Sequence, residues 1–320
     1  MVKYYRVIYE PEPGEKWRHL FTQFWPYYER WFLSEGERAR AGYLTSYKRL
    51  REHMPELAPI YEQLVDLAGG QDLPARFLTL WKPPPFMSGC SQAVWLKGFP
   101  ALVRNYDYSP LLYEANIMHT NWLRPVIAMG DCLWGALDGM NDAGLCVSLA
   151  FGGSKATGEG FGIPLVLRYL LETCSTTKEA VAVLNRLPVH MSYNVTVLDA
   201  QGQYRTAFLA PGRAPEVTEL QCATNHQSRI EWEAYAAMSQ TEMRRIFLDE
   251  AIAYESDFNR FVRHFLERPL YSTQFMRGFG TLYTCVYYPE SKSVDFLWPG
   301  FAYQRSITES DEFGMMINLQ

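Results

Sequence analysis

Apolar and aromatic side chains recur at helical spacing over residues 17–32, and good helix formers mixed with Arg and Glu fill residues 38–54. A third periodic stretch, Leu57, Ile60, Tyr61, Leu64, Val65 and Leu67, runs into Gly69-Gly70, an ordinary helix stop. The first 80 or so residues therefore predict a helical arm, with a short strand at 77–81. Beyond Lys82 the pattern changes. Residues 90–95, 101–106 and 145–151 predict short strands separated by turn formers, among them Gly98-Phe99-Pro100 and Asp138-Gly139 with Asn141-Asp142. Helices are predicted at 164–174, with Pro164 in the first turn, and at 177–187, with Thr177 as N-cap and Glu179 in the first turn. A hairpin follows at 193–198 and 204–209, turning at Asp199-Ala200-Gln201-Gly202. The last third predicts helices near 231–239, 242–254 and 258–268 and a closing hairpin at 281–288 and 294–298. The sum is an α+β chain with much antiparallel sheet.

The break between the two regions is Lys82-Pro83-Pro84-Pro85-Phe86-Met87-Ser88-Gly89, where three prolines in a row fix φ and remove donors. With 320 residues and 48% hydrophobic content the chain has ample material for a core, which excludes disorder as its main state. Thirty Lys and Arg against 35 Asp and Glu leave a formal charge of −5, which argues against nucleic-acid binding by bulk charge. The strongest apolar run, 163–171, is interrupted by Arg168, so no membrane span is expected. The first residues lack a charged-then-apolar signal layout, which predicts a cytoplasmic protein. Cysteines at 90, 132, 146, 174, 222 and 285 form no CxxC pair, so neither a disulfide scaffold nor a zinc site is expected, and most should be buried small hydrophobes.

Three clusters carry candidate chemistry. Cys90 follows Gly89 at the end of the proline-rich segment and the start of a strand. A thiol after Gly can attack the preceding carbonyl, because no side chain blocks the approach, and cleavage there would free an α-amine able to act as base for its own thiol. On its own the pair also reads as one more buried strand cysteine. Arg104-Asn105-Tyr106-Asp107 stands where a strand should end. An Arg near a thiolate lowers its pKa and an Asp can hold an amine, though Arg104 and Asp107 also read as a surface ion pair. A bend after Tyr106 would bring Arg104 and Asp107 together, since alternation puts them on opposite faces. Cys222-Ala223-Thr224-Asn225-His226-Gln227 offers an Asn amide for an oxyanion hole and a His for a Cys-His pair, or is simply a polar turn.

In combination these motifs resemble the cysteine N-terminal nucleophile (Ntn) hydrolases, most of all the autoproteolytic acyl-coenzyme A:6-aminopenicillanic acid acyltransferase family, with bile salt hydrolases and penicillin V acylases as distant cousins. The resemblance covers His53-Met54-Pro55-Glu56-Leu57 through Ala68-Gly69-Gly70 as a pre-cleavage helix, then Gly89-Cys90-Ser91, Arg104-Asn105-Tyr106-Asp107, Asp138-Gly139-Met140-Asn141-Asp142-Ala143-Gly144-Leu145 and Ala223-Thr224-Asn225-His226. It implies a four-layer αββα sandwich with an N-terminal helical leader, divided into a leader 1–89 that is cleaved and retained and a catalytic domain 90–320. It further implies that Cys90 is the nucleophile and its freed amine the base, with Gly89-Cys90 the cut bond. Arg104 and Asp107 would orient the thiol and amine, Asn225 would donate its side-chain amide to the oxyanion, and a backbone N–H near Ala150 would be the second donor. A further active-site Arg has its best match in Arg244, with Arg245 beside it.

The implied activity is a self-processing amidase or N-acyltransferase acting on a linear acyl amide through a Cys90 thioester, with a small acyl amide or acyl donor as partner and no cofactor, metal, nucleic acid or membrane. A homo-oligomer is compatible with the sequence. Two other readings stay open: a Cys-His thiol hydrolase pairing Cys90 or Cys222 with His226, and a non-catalytic, unprocessed Ntn-fold binding protein whose leader acts as a lid or dimer surface.

Overall fold

The computed structural model describes residues 1–319. Residues 1–89, the leader expected from the sequence, hold β1 (Val2–Glu10), α1 (Glu15–Phe32), α2 (Tyr43–His53), α3 (Ala58–Leu67) and α4 (Asp72–Leu78). Beyond it lie β2 (Gly89–Trp95), β3 (Ala101–Tyr108), β4 (Asn116–Asn121), β5 (Pro125–Asp131), β6 (Gly135–Asn141), β7 (Cys146–Phe151), α5 (Ile163–Thr173), α6 (Thr177–Arg186), β8 (Tyr193–Leu198), β9 (Tyr204–Leu209), β10 (Glu216–Thr218) and β11 (Cys222–Ala223). The chain continues through α7 (Glu233–Ser239), α8 (Thr241–Tyr254), α9 (Phe258–His264), β12 (Thr273–Gln274), β13 (Phe279–Tyr288), β14 (Ser293–Trp298), β15 (Phe301–Ser306) and β16 (Phe313–Asn318).

The strands form two sheets. One runs β10-β9-β8-β7-β6-β5-β4-β1-β16, the other β11-β2-β3-β13-β14-β15 with β12 attached to β13. The sheets face each other, with β2 against β7 across the interior. Helices α5 and α6 cover the outer face of the first sheet. Helix α8 covers β2 and β11 on the second sheet, where Phe261 of α9 packs with Trp95, Val103 and Val286. The result is the α+β, four-layer αββα sandwich expected from the sequence. Among the described residues no helix is long and apolar enough to cross a membrane, and all six cysteines are free and buried.

The leader departs from an all-helical arm at its first element. β1 is an inner strand, paired in parallel with β4 and antiparallel with β16. Its Tyr5 and Val7 are buried in the main core, while Ile8 on the opposite face packs with Leu20 of α1 and Met118. Residues 77–81 are not a strand: α4 runs through Leu78, and Leu80 and Lys82 then take left-handed conformations, leaving Trp81 only an isolated bridge to Phe161. Asp138-Gly139 is not a turn but the middle of β6, with the turn falling at 142–144. A Cβ on Gly139 would lie 2.7 Å from Leu171 of α5, so glycine permits the close approach of that helix. The N-cap of α6 is Thr176, one residue earlier than expected, and its side chain accepts from the Glu179 N–H.

Candidate active site

Strands β2 and β3 set the frame of the site. Their antiparallel register places Gly89 opposite Asp107, Cys90 opposite Tyr106 and Gln92 opposite Arg104. Because opposed residues share a face, Cys90 and Arg104 point into the space between the sheets, while Asp107 stands with Gly89 on the α8 side. No bend is therefore needed: Arg104 and Asp107 address the Cys90 position from opposite faces of one sheet. A Cβ on Gly89 would lie 3.0 Å from Asp107 Cβ and 3.3 Å from its Oδ2, so a larger residue before Cys90 would press directly on Asp107.

Cys90 is fully buried. Arg104 Nη2 donates toward its sulfur at 3.4 Å, and Ser88 Oγ lies 3.8 Å away. The guanidinium is fixed by three further contacts: Nε donates to the Leu149 carbonyl at 3.1 Å, Nη1 interacts with Tyr283 Oη at 2.9 Å, and Nη1 forms an ion pair with Asp138. Asp138 in turn accepts from Tyr283 Oη at 2.5 Å and Tyr287 Oη at 2.6 Å. Burial pushes the Cys90 thiol above its ordinary pKa; the Arg104 charge opposes this and the Asp107 charge adds to it. Asp107 is also raised by burial, against the pull of Arg244 and a 2.6 Å hydrogen bond from Thr281 Oγ1.

Asn225, just after β11, and Arg244 of α8 close the other side. The Cys90 N–H donates to Asn225 Oδ1 at 3.0 Å, and Arg244 Nη2 donates to the same oxygen at 2.7 Å. Arg244 Nη1 reaches the Cys90 carbonyl at 2.6 Å and Ser91 Oγ at 2.8 Å. Asn225 Nδ2 donates to Ser88 O at 3.3 Å and Phe151 O at 3.1 Å, and the Asn225 N–H is held by Thr241 Oγ1 at 2.7 Å. Arg244 is thus the arginine that meets the Cys90 backbone, while its neighbour Arg245 turns to Asp249. A cavity of about 330 Å³ adjoins this cluster, lined by Gly89, Asp107, Met243, Arg244, Tyr271 and Phe279 among others.

Ala150 does not present its amide to this site. In β7 the carbonyls of Leu149 and Phe151 are taken by Arg104 and Asn225, whereas the Gly152 N–H bonds the Ser192 carbonyl beside β8. Alternation then directs the Ala150 N–H to its β8 partner Asn194, and the amides of Leu149 and Phe151 face the site side. The shift of one residue reverses the direction of the amide, which counting along a motif does not reveal.

The Cys-His arrangement is not assembled. His226 Nδ1 contacts Thr241 Oγ1 at 2.9 Å, and Cys222 Sγ lies against Asp249 Oδ1 at 3.1 Å. Burial pushes the Cys222 thiol up and the His226 imidazole down. Among the described residues no group of three or more His, Cys, Asp and Glu side chains is placed to hold a metal ion. Sequence reasoning misses Asp138 and Tyr283 as partners of Arg104, and Tyr287 as a second phenol on Asp138, although Asp138 stands at the head of one of the motifs that carry the resemblance. It gives no role to Ser88, Tyr235 or Thr281.

A family model described as acyl-coenzyme A:6-aminopenicillanic acid acyl-transferase matches residues 96–303, a span that takes in Arg104, Asp107, Asp138, Asn225 and Arg244 and begins just after Cys90. Among solved structures, a mutant of conjugated bile acid hydrolase from Clostridium perfringens is similar over 72% of this chain and 97% of that one, with 13% identity and a TM-score of 0.52. Penicillin V acylase from Agrobacterium tumefaciens is similar over 71% and 86%, with 15% identity and a TM-score of 0.47. The Caenorhabditis elegans N-acylethanolamine-hydrolyzing acid amidase ortholog is similar over 63% and 93%, with 20% identity and a TM-score of 0.47. Among curated proteins no sequence matches the chain.

Proposed function

The chain belongs to the acyl-coenzyme A:6-aminopenicillanic acid acyl-transferase family, and we propose that it is a self-processing acyl amide hydrolase or acyltransferase whose nucleophile is Cys90. Family and fold make it an enzyme of the Ntn type acting on carbon–nitrogen bonds of amides. The observation that carries the finer reading is the convergence of Arg104, Asn225 and Arg244, from three separate segments, on the sulfur and backbone of one buried cysteine.

In this scheme Cys90 Sγ first attacks the Gly89 carbonyl carbon, and the Gly89–Cys90 C–N bond breaks to leave a thioester and a free Cys90 amine. Water resolves the thioester, giving a leader 1–89 with a new carboxylate and a catalytic chain 90–320 with a free thiol. The amine, with an ordinary pKa of about 7.7 to 8.0, then takes the thiol proton. The thiolate, paired with Arg104, attacks the substrate carbonyl. Asn225 Nδ2 receives the oxyanion, the amide C–N bond breaks, and the leaving amine takes the proton from the Cys90 ammonium. Water or an acceptor amine releases the acyl group. The Phe151 N–H, on the side of β7 whose carbonyl meets Asn225, supplies the main-chain donor in place of Ala150. Asp107, beside Gly89, and the Asn225 Oδ1 that holds the Cys90 N–H are placed to keep the new amine in position.

The test is mass spectrometry of protein quenched during turnover of acyl p-nitroanilides. An acyl adduct on Cys90 in the wild type, with both adduct and turnover lost in Cys90→Ala, is the expected result. Turnover retained in Cys90→Ala overturns the reading.

A further inference from the structure

Two side-chain donors meet on a single carbonyl oxygen of the leader. Tyr235 Oη donates to Ser88 O at 2.7 Å, and Asn225 Nδ2 donates to the same oxygen at 3.3 Å. Ser88 lies two residues before Cys90, with its Oγ 3.8 Å from the Cys90 sulfur, and Asn225, one of the two donors to this carbonyl, also accepts from the Cys90 N–H at 3.0 Å. Tyr235 belongs to α7 and is 2% exposed. Its ring stands edge-on to Phe151 with centroids 5.2 Å apart and stacks on Trp232 at 5.3 Å, which fixes the direction of the hydroxyl. Burial holds the phenol well above its ordinary pKa, so it stays a neutral donor, and the charges of Arg244, Cys90 and Asp107 all bear on it. A buried phenol needs an acceptor, but the acceptor here is the oxygen already shared with Asn225, the side chain that the catalytic scheme uses for the oxyanion.

We propose that Tyr235 is a further catalytic residue: after the leader has been cut, Tyr235 Oη and Asn225 Nδ2 together bind the carbonyl oxygen of the substrate amide, and the Ser88 carbonyl of the intact chain is the place-holder for that oxygen. As the Cys90 thiolate attacks, the carbonyl π electrons move to the oxygen, which both donors stabilise. When the C–N bond breaks, those electrons return and neither donor gives up its proton. The intact chain is then unable to turn over an acyl amide, because its own backbone occupies the cradle. The inference rests on the Cys90 reading above and names a second side-chain donor for it.

Tyr235→Phe removes one oxygen and keeps the ring packing against Phe151 and Trp232. Its cleavage state is read by denaturing mass, and its kcat and KM on an acyl p-nitroanilide are compared with those of the processed wild type. The expected result is complete cleavage with kcat lower by about 10²-fold, the usual effect of losing one oxyanion donor, and KM within about twofold, because the lost bond acts mainly in the transition state. A cleaved variant with wild-type kcat overturns the proposal and makes the phenol an anchor for Ser88. A variant that stays uncleaved also overturns it, since a donor to Ser88 O rather than Gly89 O has no part in the cleavage step. A wild-type enzyme that turns over without a Cys90 adduct refutes the underlying reading instead, and that result is visible before any variant is made.

Discussion

Arg104 holds the Cys90 sulfur at 3.4 Å with one guanidinium nitrogen while another is paired with the fully buried carboxylate of Asp138. The arginine is thereby aimed and partly neutralised at once. Removing Asp138 would leave an uncompensated buried cation beside the thiol. Asp138→Asn is expected to lower stability by about 3 to 5 kcal/mol, the usual cost of breaking a buried pair from one side. In the processed enzyme that remains folded, the Cys90 thiol pKa is expected to fall, because Arg104 then acts on the sulfur with less competition. Urea unfolding and the pH dependence of alkylation by iodoacetamide check the two effects. An unchanged alkylation midpoint contradicts the second.

A Cβ on Gly89 would crowd Asp107, at 3.0 Å from its Cβ and 3.3 Å from its Oδ2. Gly89→Ala is expected to slow chain cleavage by about tenfold or more, corresponding to at least about 1.4 kcal/mol in the barrier, and Gly89→Val to stop it. Intact mass followed over time after purification measures both. Cleavage of Gly89→Val at the wild-type rate would show that Asp107 does not constrain the scissile bond.

The leader is built into the sheet as β1, between β4 and β16, and Tyr5 Oη donates to the Leu282 carbonyl at 2.5 Å on the opposite sheet. The cut chain is therefore expected to stay one particle: two masses under denaturing conditions and one under native conditions. Release of residues 1–89 without denaturant would contradict this placement.

Much of the fold is legible in the sequence because local pattern and tertiary context agree. The strands at 193–198 and 204–209 match β8 and β9, with alternating side chains on either side of an Asp-Gly-bounded turn. β1 is not legible. It carries Lys3, Arg6 and Glu10 among its aromatics, and its partners β4 and β16 are remote in sequence. β6 reads as a turn because Asp138-Gly139 and Asn141-Asp142 are turn formers by local chemistry. In the structure Asp138 is an interior counter-charge for Arg104, and Asn141 Nδ2 donates to Leu171 O and Cys174 O at the end of α5. Of the candidate site, Cys90, Arg104, Asp107, Asn225 and Arg244 are brought together. Ala150 is not, since strand parity sets the direction of an amide.

Asp131 and Glu114 form a buried carboxylate pair under the leader, where Tyr28 of α1 donates to Glu114. Burial first, and then the Glu114 charge, raise the Asp131 pKa above its ordinary 3.8. The folded chain therefore binds this proton more tightly than the unfolded chain. The contribution of Asp131 to stability is full below the ordinary aspartate range and declines as pH rises through the raised folded value. Urea midpoints at about pH 5 and about pH 8 are expected to fall with pH in the wild type and to fall less in Asp131→Asn. Equal slopes in the two proteins would contradict the assignment.

The most direct test of the central claim is the intact mass of freshly purified wild type and Cys90→Ala under denaturing conditions. The wild type is expected to give two chains, residues 1–89 and 90–320, and Cys90→Ala one uncut chain of 320 residues. A wild type that hydrolyses acyl amides while its Gly89–Cys90 bond stays whole would contradict it.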